Sequence, residues 1–275
     1  MNFSELFPDE DYRFHMALQR GTTEEFFKPT SANAALMAER RRWLRSEPRV
    51  YSACLPECSS LLNECIALAL GWRTLSESEC AAVMAQPAPA QRCLRLGEIW
   101  EPDFLLLHPD ATGAFHLLGG CVAFPSSWSL EEKIGKPIEA IHGPVPGLNA
   151  QLGRSIHSFL GKLSAGETRL RHNWGLSRSP ELNQHPNRAL PRLDASVQLN
   201  EVWLRVERQA LVRLPHTAGI LFGIRIEMHP LTELRRDALA AARLVRALRT
   251  MRIETAVYKG LASSRERIID LLERG

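Results

Sequence analysis

The sequence predicts an α+β protein built around an antiparallel sheet, on three observations. Two runs between Val202 and Met228 alternate apolar and polar residues with a period of two, as in a hairpin with one buried face. At both ends of the chain, apolar residues recur instead at helical spacing. Between these regions, short apolar runs are broken by Gly and Pro turns. A chain of 275 residues suits a single compact core with terminal extensions.

Residues 1–94 read as a helical extension. Ala34, Leu36, Met37, Trp43 and Leu44 lie among helix formers, and Arg40–Arg42 is expected on a solvated helix face. Leu61, Leu62, Cys65, Ile66, Ala69 and Leu70 follow a Ser59–Ser60 start signal. The Pro-rich stretch 86–90 marks a connector, and residues 95–232 form the expected core. Phe104–Leu107 and Phe115–Phe124 read as strands. Gly119 and Gly120 in the second leave room for another group to approach the backbone, or mark a bulge. Ser129 and Glu132 are spaced as a capping box for a short helix. The stiff turn Ile141–Gly147 opens a helix through Leu148, Leu152, Ile156, Phe159 and Leu163. Arg169–Trp174 reads as a connector and 178–195 as a loop. The hairpin of Val202–Leu214 and Ile220–Met228 then completes the sheet. Residues 233–275 are helical, with Ser263 and Glu266 as a second capping box. Two strands, a helical crossover and a hairpin fit a PAS-like core, and a ferredoxin-like sandwich fits less well.

A net charge of +3 makes no case for nucleic acid, and the arginines of the 234–249 helix are its one candidate basic face. No apolar run has the length to cross a bilayer. The acidic start of the chain is unlike a secretory signal, so a cytoplasmic location is expected. The six cysteines match no metal or disulfide framework and are expected as reduced structural thiols. Nucleotide-binding, nucleophile-elbow and zinc-protease motifs are missing from the sequence.

Arg208 alone breaks the apolar parity of its strand, so either an internal carboxylate or a bound anion should pair with it. Arg205 and Glu207, on the other parity, are expected at the surface or edge. Arg171, Asn173 and Trp174 belong to a polar run that could supply donors beside an aromatic wall. His142 sits in a Gly/Pro-stiffened turn that would fix its ring for metal ligation, with His157 and then His172 as competitors. Cys121, inside a strand, lacks a device to lower its thiol pKa. One histidine with inward arginines suits haem better than zinc.

Read together, Cys121–Trp128, Lys133–Pro137, Ile141–Pro146, Arg171–Trp174, Leu204–Gln209, Arg213–Pro215 and Ile220–Arg225 resemble the haem-dependent oxidative N-demethylase alpha-subunit family. The resemblance covers roughly residues 100–232. Phe14–Leu18 is similar to the family's opening, with Ala17 where glycine is expected. The resemblance implies a PAS-like fold holding haem b, with iron on His142. Arg171, Arg208, Arg225 and Gly120 would attend the cofactor, and Glu207, Asn173 and Trp174 the chemistry. It further implies oxidation of a small secondary amine by O2 to a primary amine and formaldehyde. Electrons would come from a ferredoxin-type or reductase partner carrying flavin and an iron–sulfur centre. Two alternatives remain: a haem-binding sensor module, and a haem-less structural subunit of an oxidase complex. The sequence leaves homo- or hetero-oligomeric assembly open.

Overall fold

The computed structural model describes residues 3–274. Seven strands, β1 (Gln19–Arg20), β2 (Ser52–Cys54), β3 (Asp103–Pro109), β4 (Phe115–Cys121), β5 (Thr168–Ser177), β6 (Trp203–Arg213) and β7 (Ile220–Pro230), form one sheet. Its order is β1-β5-β6-β7-β3-β4-β2, and every pairing is antiparallel. The α+β class therefore holds. The segment 1–94 is mainly helical, yet it also supplies both edge strands, β1 and β2.

The alternation of β6 explains how the sheet is covered. Leu204, Val206, Ala210 and Val212 face one side. There, helices Asn33–Ser46, Ser59–Gly71 and Pro89–Ile99 pack over the Ala210–Val212 half with Phe104, Leu106 and Leu221. Helices Ala238–Thr250 and Arg265–Glu273 pack over the Leu204–Val206 half with Phe3 and Phe7. The opposite face carries Leu105, Leu107, Phe115, Leu117, Ile220 and Ile224 beneath the helix Leu148–Lys162.

Several local expectations are corrected. Arg40 is fully buried; it pairs with Asp103 and reaches Gly97 O and Cys121 Sγ. A helix face packed on the sheet had looked solvated because its arginine answers a carboxylate 63 residues away. Residues 168–177 are a full strand, not a connector, and their polar residues tolerate this because β1 covers only two residues of the outer edge. Neither capping box forms. Ser129 Oγ is buried without a partner, a turn rather than a helix follows it at 131–135, and Arg265–Glu273 begins after Ser264 with no side-chain cap. Among the described residues, no helix is long and apolar enough to cross a membrane.

Candidate functional site

The middle of the second face is left thinly covered. At one end of β6, Leu211 and Arg213 lie under the helix 148–162, with Arg213 donating to Leu160 O. At the other end Arg205, 4% exposed, donates to Phe124 O, Leu182 O and Ser126 Oγ, pinning the loops 124–126 and 181–184 over the sheet. Between these ends Phe222, Ile226 and Met228 stay only half-buried although β7 is a central strand. The elements opposite, Ile138–His142 and most of Leu148–Lys162, likewise bury little: their one buried residue is Leu160. The half-exposed apolar side chains on the two sides mark a shallow cleft, since a packed interior would bury them.

The polar residues of the cleft come from β5 and β6. Register pairs Arg171 with Gln209 and Asn173 with Glu207, all on this face. Gln209 Nε2 donates to Glu207 Oε2 at 2.7 Å, and Asn173 Nδ2 reaches the same oxygen at 3.4 Å. Arg171 makes one long bond, to His15 O at 3.4 Å, while its Nε and the neighbouring Gln209 Oε1 are buried without partners. An unpaired donor and acceptor side by side in a native site call for an explanation, and a ligand is one.

Across the cleft, burial, helped by Arg171 and Lys133, lowers the His142 pKa and keeps the ring neutral. Beyond β5, Lys259 Nζ donates to Trp174 O at 2.8 Å and lies 5.0 Å from the centre of its ring. Burial brings the Lys259 pKa down to about 8, opposed by Glu207 and aided by Arg171. Burial and the Glu207 charge raise Tyr258. A cavity of about 430 Å³ opens between Pro144 and Pro146 on one side and Ile253, Glu254, Val257 and Tyr258 on the other. Burial also lowers Arg171, and it takes Arg205 to about 10, neither having a carboxylate bonded to it. Arg171 and Lys259 thus lie near Glu207, and Arg205 near Glu207 and Asp103, with no carboxylate bonded to any of the three. That imbalance suits an anionic guest.

The family model for "Haem-dependent oxidative N-demethylase, alpha subunit-like" matches residues 17–269. The chain belongs to this family. The match extends well beyond the 100–232 region that carried the resemblance. It takes in Ala17, whose backbone has φ of 45°, the left-handed region where glycine is at ease.

Within this family member, the structure brings His142, Arg171, Asn173 and Glu207 to one cleft. Arg208 and Arg225 face the other way, directly opposite each other on β6 and β7. Arg208 is ion-paired with Glu227 at 3.3 Å, and Arg225 with Glu101, while also donating to Phe26 O and Lys28 O. The parity break of Arg208 falls in the seam between the two helical layers, so an internal carboxylate answers it there. The expectation that Arg208 shares a pocket with Arg171 is corrected accordingly. Trp174 and His172 lie on that same far face, Trp174 against Phe7 and Tyr12. His157 is exposed beside Gly113 at the β3–β4 turn. A Cβ on Gly120 would meet Phe104 O and Leu105 of the adjacent strand, and one on Gly119 would meet Cys58 Sγ at 2.6 Å. The room at the paired glycines is therefore filled by the protein itself. Cys121 lies under Arg40, and burial pushes its thiol up to about 12.

Arg205, expected at the surface, is buried. Gln209, Lys259 and Tyr258 were not singled out. Gln209 shares the parity of Arg205 and Glu207 and was legible there; Lys259 lies over 80 residues from the strand it joins and left no local signal. Among the described residues, no group of three or more His, Cys, Asp or Glu side chains could hold a metal ion.

Proposed function

We propose that the chain is a haem-binding oxidative demethylase subunit acting on a small secondary amine of the dimethylamine type, with O2 as oxidant. The observation that carries this reading is the half-open apolar cleft with surplus positive charge and an unpaired Arg171 Nε. Haem b matches each feature: an apolar macrocycle for the walls formed by Phe222, Ile226, Ile138 and Ile156, and carboxylates for Arg171 and Lys259. Neutral His142 would be the iron ligand. When bound, the haem would supply the oxygen activation that oxidises the amine, and formaldehyde would leave with the primary amine.

The protein's own part follows from its acids and amides. Only the neutral amine has a lone pair to oxidise, so Glu207 Oε2 takes the ammonium proton, held in place by Gln209 and Asn173. Gln209 Oε1 accepts from the amine N–H. Arg205 holds the loops that exclude water at the far end of the cleft. A PAS-like arrangement of sheet and crossover fits this use of one sheet face. The alpha-subunit family description points to a multi-subunit assembly. Within it a flavin and iron–sulfur reductase would deliver electrons to a cytoplasmic complex.

The test is optical and chemical. Wild type reconstituted with haem should show a Soret band and release formaldehyde from dimethylamine, given O2 and a reductant. His142→Ala should lose haem, or show an altered spectrum that imidazole restores. An unchanged spectrum in His142→Ala, with haem loss in His157→Ala, would move the ligand to the helix. A chain that takes up no haem at all would overturn the reading.

A further inference from the structure

Three of the six cysteines converge where the edge strand β2 pairs with β4. Cys93 Sγ, from the helix Pro89–Ile99, lies 3.7 Å from Ala53 O and 3.3 Å from Gly120 O. Cys54, next in the chain to Ala53, pairs with Gly119 across β2 and β4. A Cβ built on Gly119 would lie 2.6 Å from Cys58 Sγ and 3.4 Å from Cys54 Cα, so Gly119 is what lets these residues approach. Cys58 and Cys93 are fully buried, whereas Cys54 is partly open to solvent on an edge strand. Cys54 Sγ lies 3.6 Å from Leu55 O, and the neighbouring Cys58 and Cys93 thiols hold its pKa below the ordinary thiol range. Cys65 and Cys121 lie near enough to act on Cys58 and Cys93, and burial raises both, as it does Cys80.

We propose that Cys54 is a peroxide-reactive thiol and Cys58 its resolving partner, so that hydrogen peroxide joins them in a reversible disulfide. Cys54 is the sulfur a small oxidant can reach, and its neighbours favour the thiolate that reacts. Cys58 is the better resolver because it sits on the short 3-10 turn Pro56–Cys58, which can shift, whereas Cys93 is fixed inside a core helix. In the first step the thiolate of Cys54 takes one oxygen as the peroxide O–O bond breaks, giving a sulfenic acid and, after protonation, water. In the second, Cys58 sulfur attacks the sulfenic sulfur, the S–S bond forms and the oxygen leaves as a second water. Two thiols lose two electrons and two protons, and the peroxide takes up both. This site is independent of the haem reading, because the oxidant is added peroxide and the readout is the protein's mass.

The experiment treats the full-length, reduced protein with stoichiometric hydrogen peroxide and follows intact mass. A loss of about 2 Da, reversed by dithiothreitol, is expected. Cleavage after Glu57, between the two cysteines, should yield two peptides joined through Cys54 and Cys58. Cys54→Ser should form a disulfide at least about tenfold more slowly. Cys58→Ser should instead gain about 16 or 32 Da at Cys54. Cys93→Ser should still form the Cys54–Cys58 disulfide. No mass loss in the wild type, a cross-link to Cys93, or undiminished oxidation in Cys54→Ser would each overturn the assignment. The peptide map of the wild type decides the matter even if a variant fails to fold.

Discussion

Replacing Arg171 by methionine should separate a ligand-binding arginine from a structural one, because its effects on the haem-free and haem-bound protein should differ in kind. In the haem-free protein the guanidinium has one long bond to a carbonyl, an Nε without a partner, and no bonded carboxylate. Removing an uncompensated buried charge while keeping an apolar stem costs little, so the change in stability should lie within about 1 kcal/mol. For a chain of this size that is about 2–4 °C in melting temperature. With haem bound, the variant loses a charge-assisted hydrogen bond worth about 1.5–3 kcal/mol. Haem affinity should then fall roughly 10- to 150-fold, read by titration of the Soret band. Arg225→Met is the control. It strands Glu101, whose side chain is 1% exposed and otherwise bonded only to Thr30 N and Asn33 Nδ2. Breaking that buried pair should cost about 3–5 kcal/mol with or without haem. If Arg171→Met destabilised the haem-free protein as much as Arg225→Met and bound haem normally, the cleft would not be an anion site.

The pH dependence of stability should show Lys259. Its folded pKa of about 8 is below the unfolded one, so the unfolded chain binds more protons between the two and stability rises as pH climbs through that window, by up to about 3 kcal/mol. Urea midpoints of wild type minus Lys259→Met from pH 7 to 10.5 should show the rise, and a flat difference would refute it. Ala17→Gly should raise stability by about 1 kcal/mol by relieving a left-handed alanine, read from the same midpoints. A loss would mean that the alanine methyl packs usefully. Gly120→Ala should cost about 1–3 kcal/mol whether or not haem is present, because the new methyl meets the backbone of β3. An effect confined to haem binding would return Gly120 to the cofactor.

The parts of the fold that were legible were those where one face is buried along a whole element. The β6–β7 hairpin and the helix 148–162 showed their period because their partners lie on one side. Arg171–Trp174 did not read as strand because β5 has a nearly bare outer edge and polar residues on both faces, so no alternation survives. Parity correctly marked Arg208 as exceptional but could not say which element would cover it. The same parity placed Glu207 and Gln209 away from Arg208, and the structure puts the cleft on that side. Arg40 shows the limit of local reading: three consecutive arginines look solvated until Asp103 is folded against the first. Lys259 and Tyr258 join the cleft from the C-terminal helices, a contact no spacing rule could supply.

The first strand of contacts in the chain is also the last to be completed. Ser4 O accepts from Arg243, Asp9 and Asp11 hold Arg246, and Tyr12 N donates to Thr250 Oγ1, bonds spanning 235–239 residues. During synthesis the opening segment, with Phe3, Leu6 and Phe7, emerges long before the helix it docks on. At roughly 5–20 residues per second the wait is on the order of 10–50 s. Until then those three apolar side chains lack the helix that buries them in the folded protein. The same wait means that the Trp174 ring of β5 gains the cover of Phe7 and Tyr12 only after the helix Ala238–Thr250 has been made.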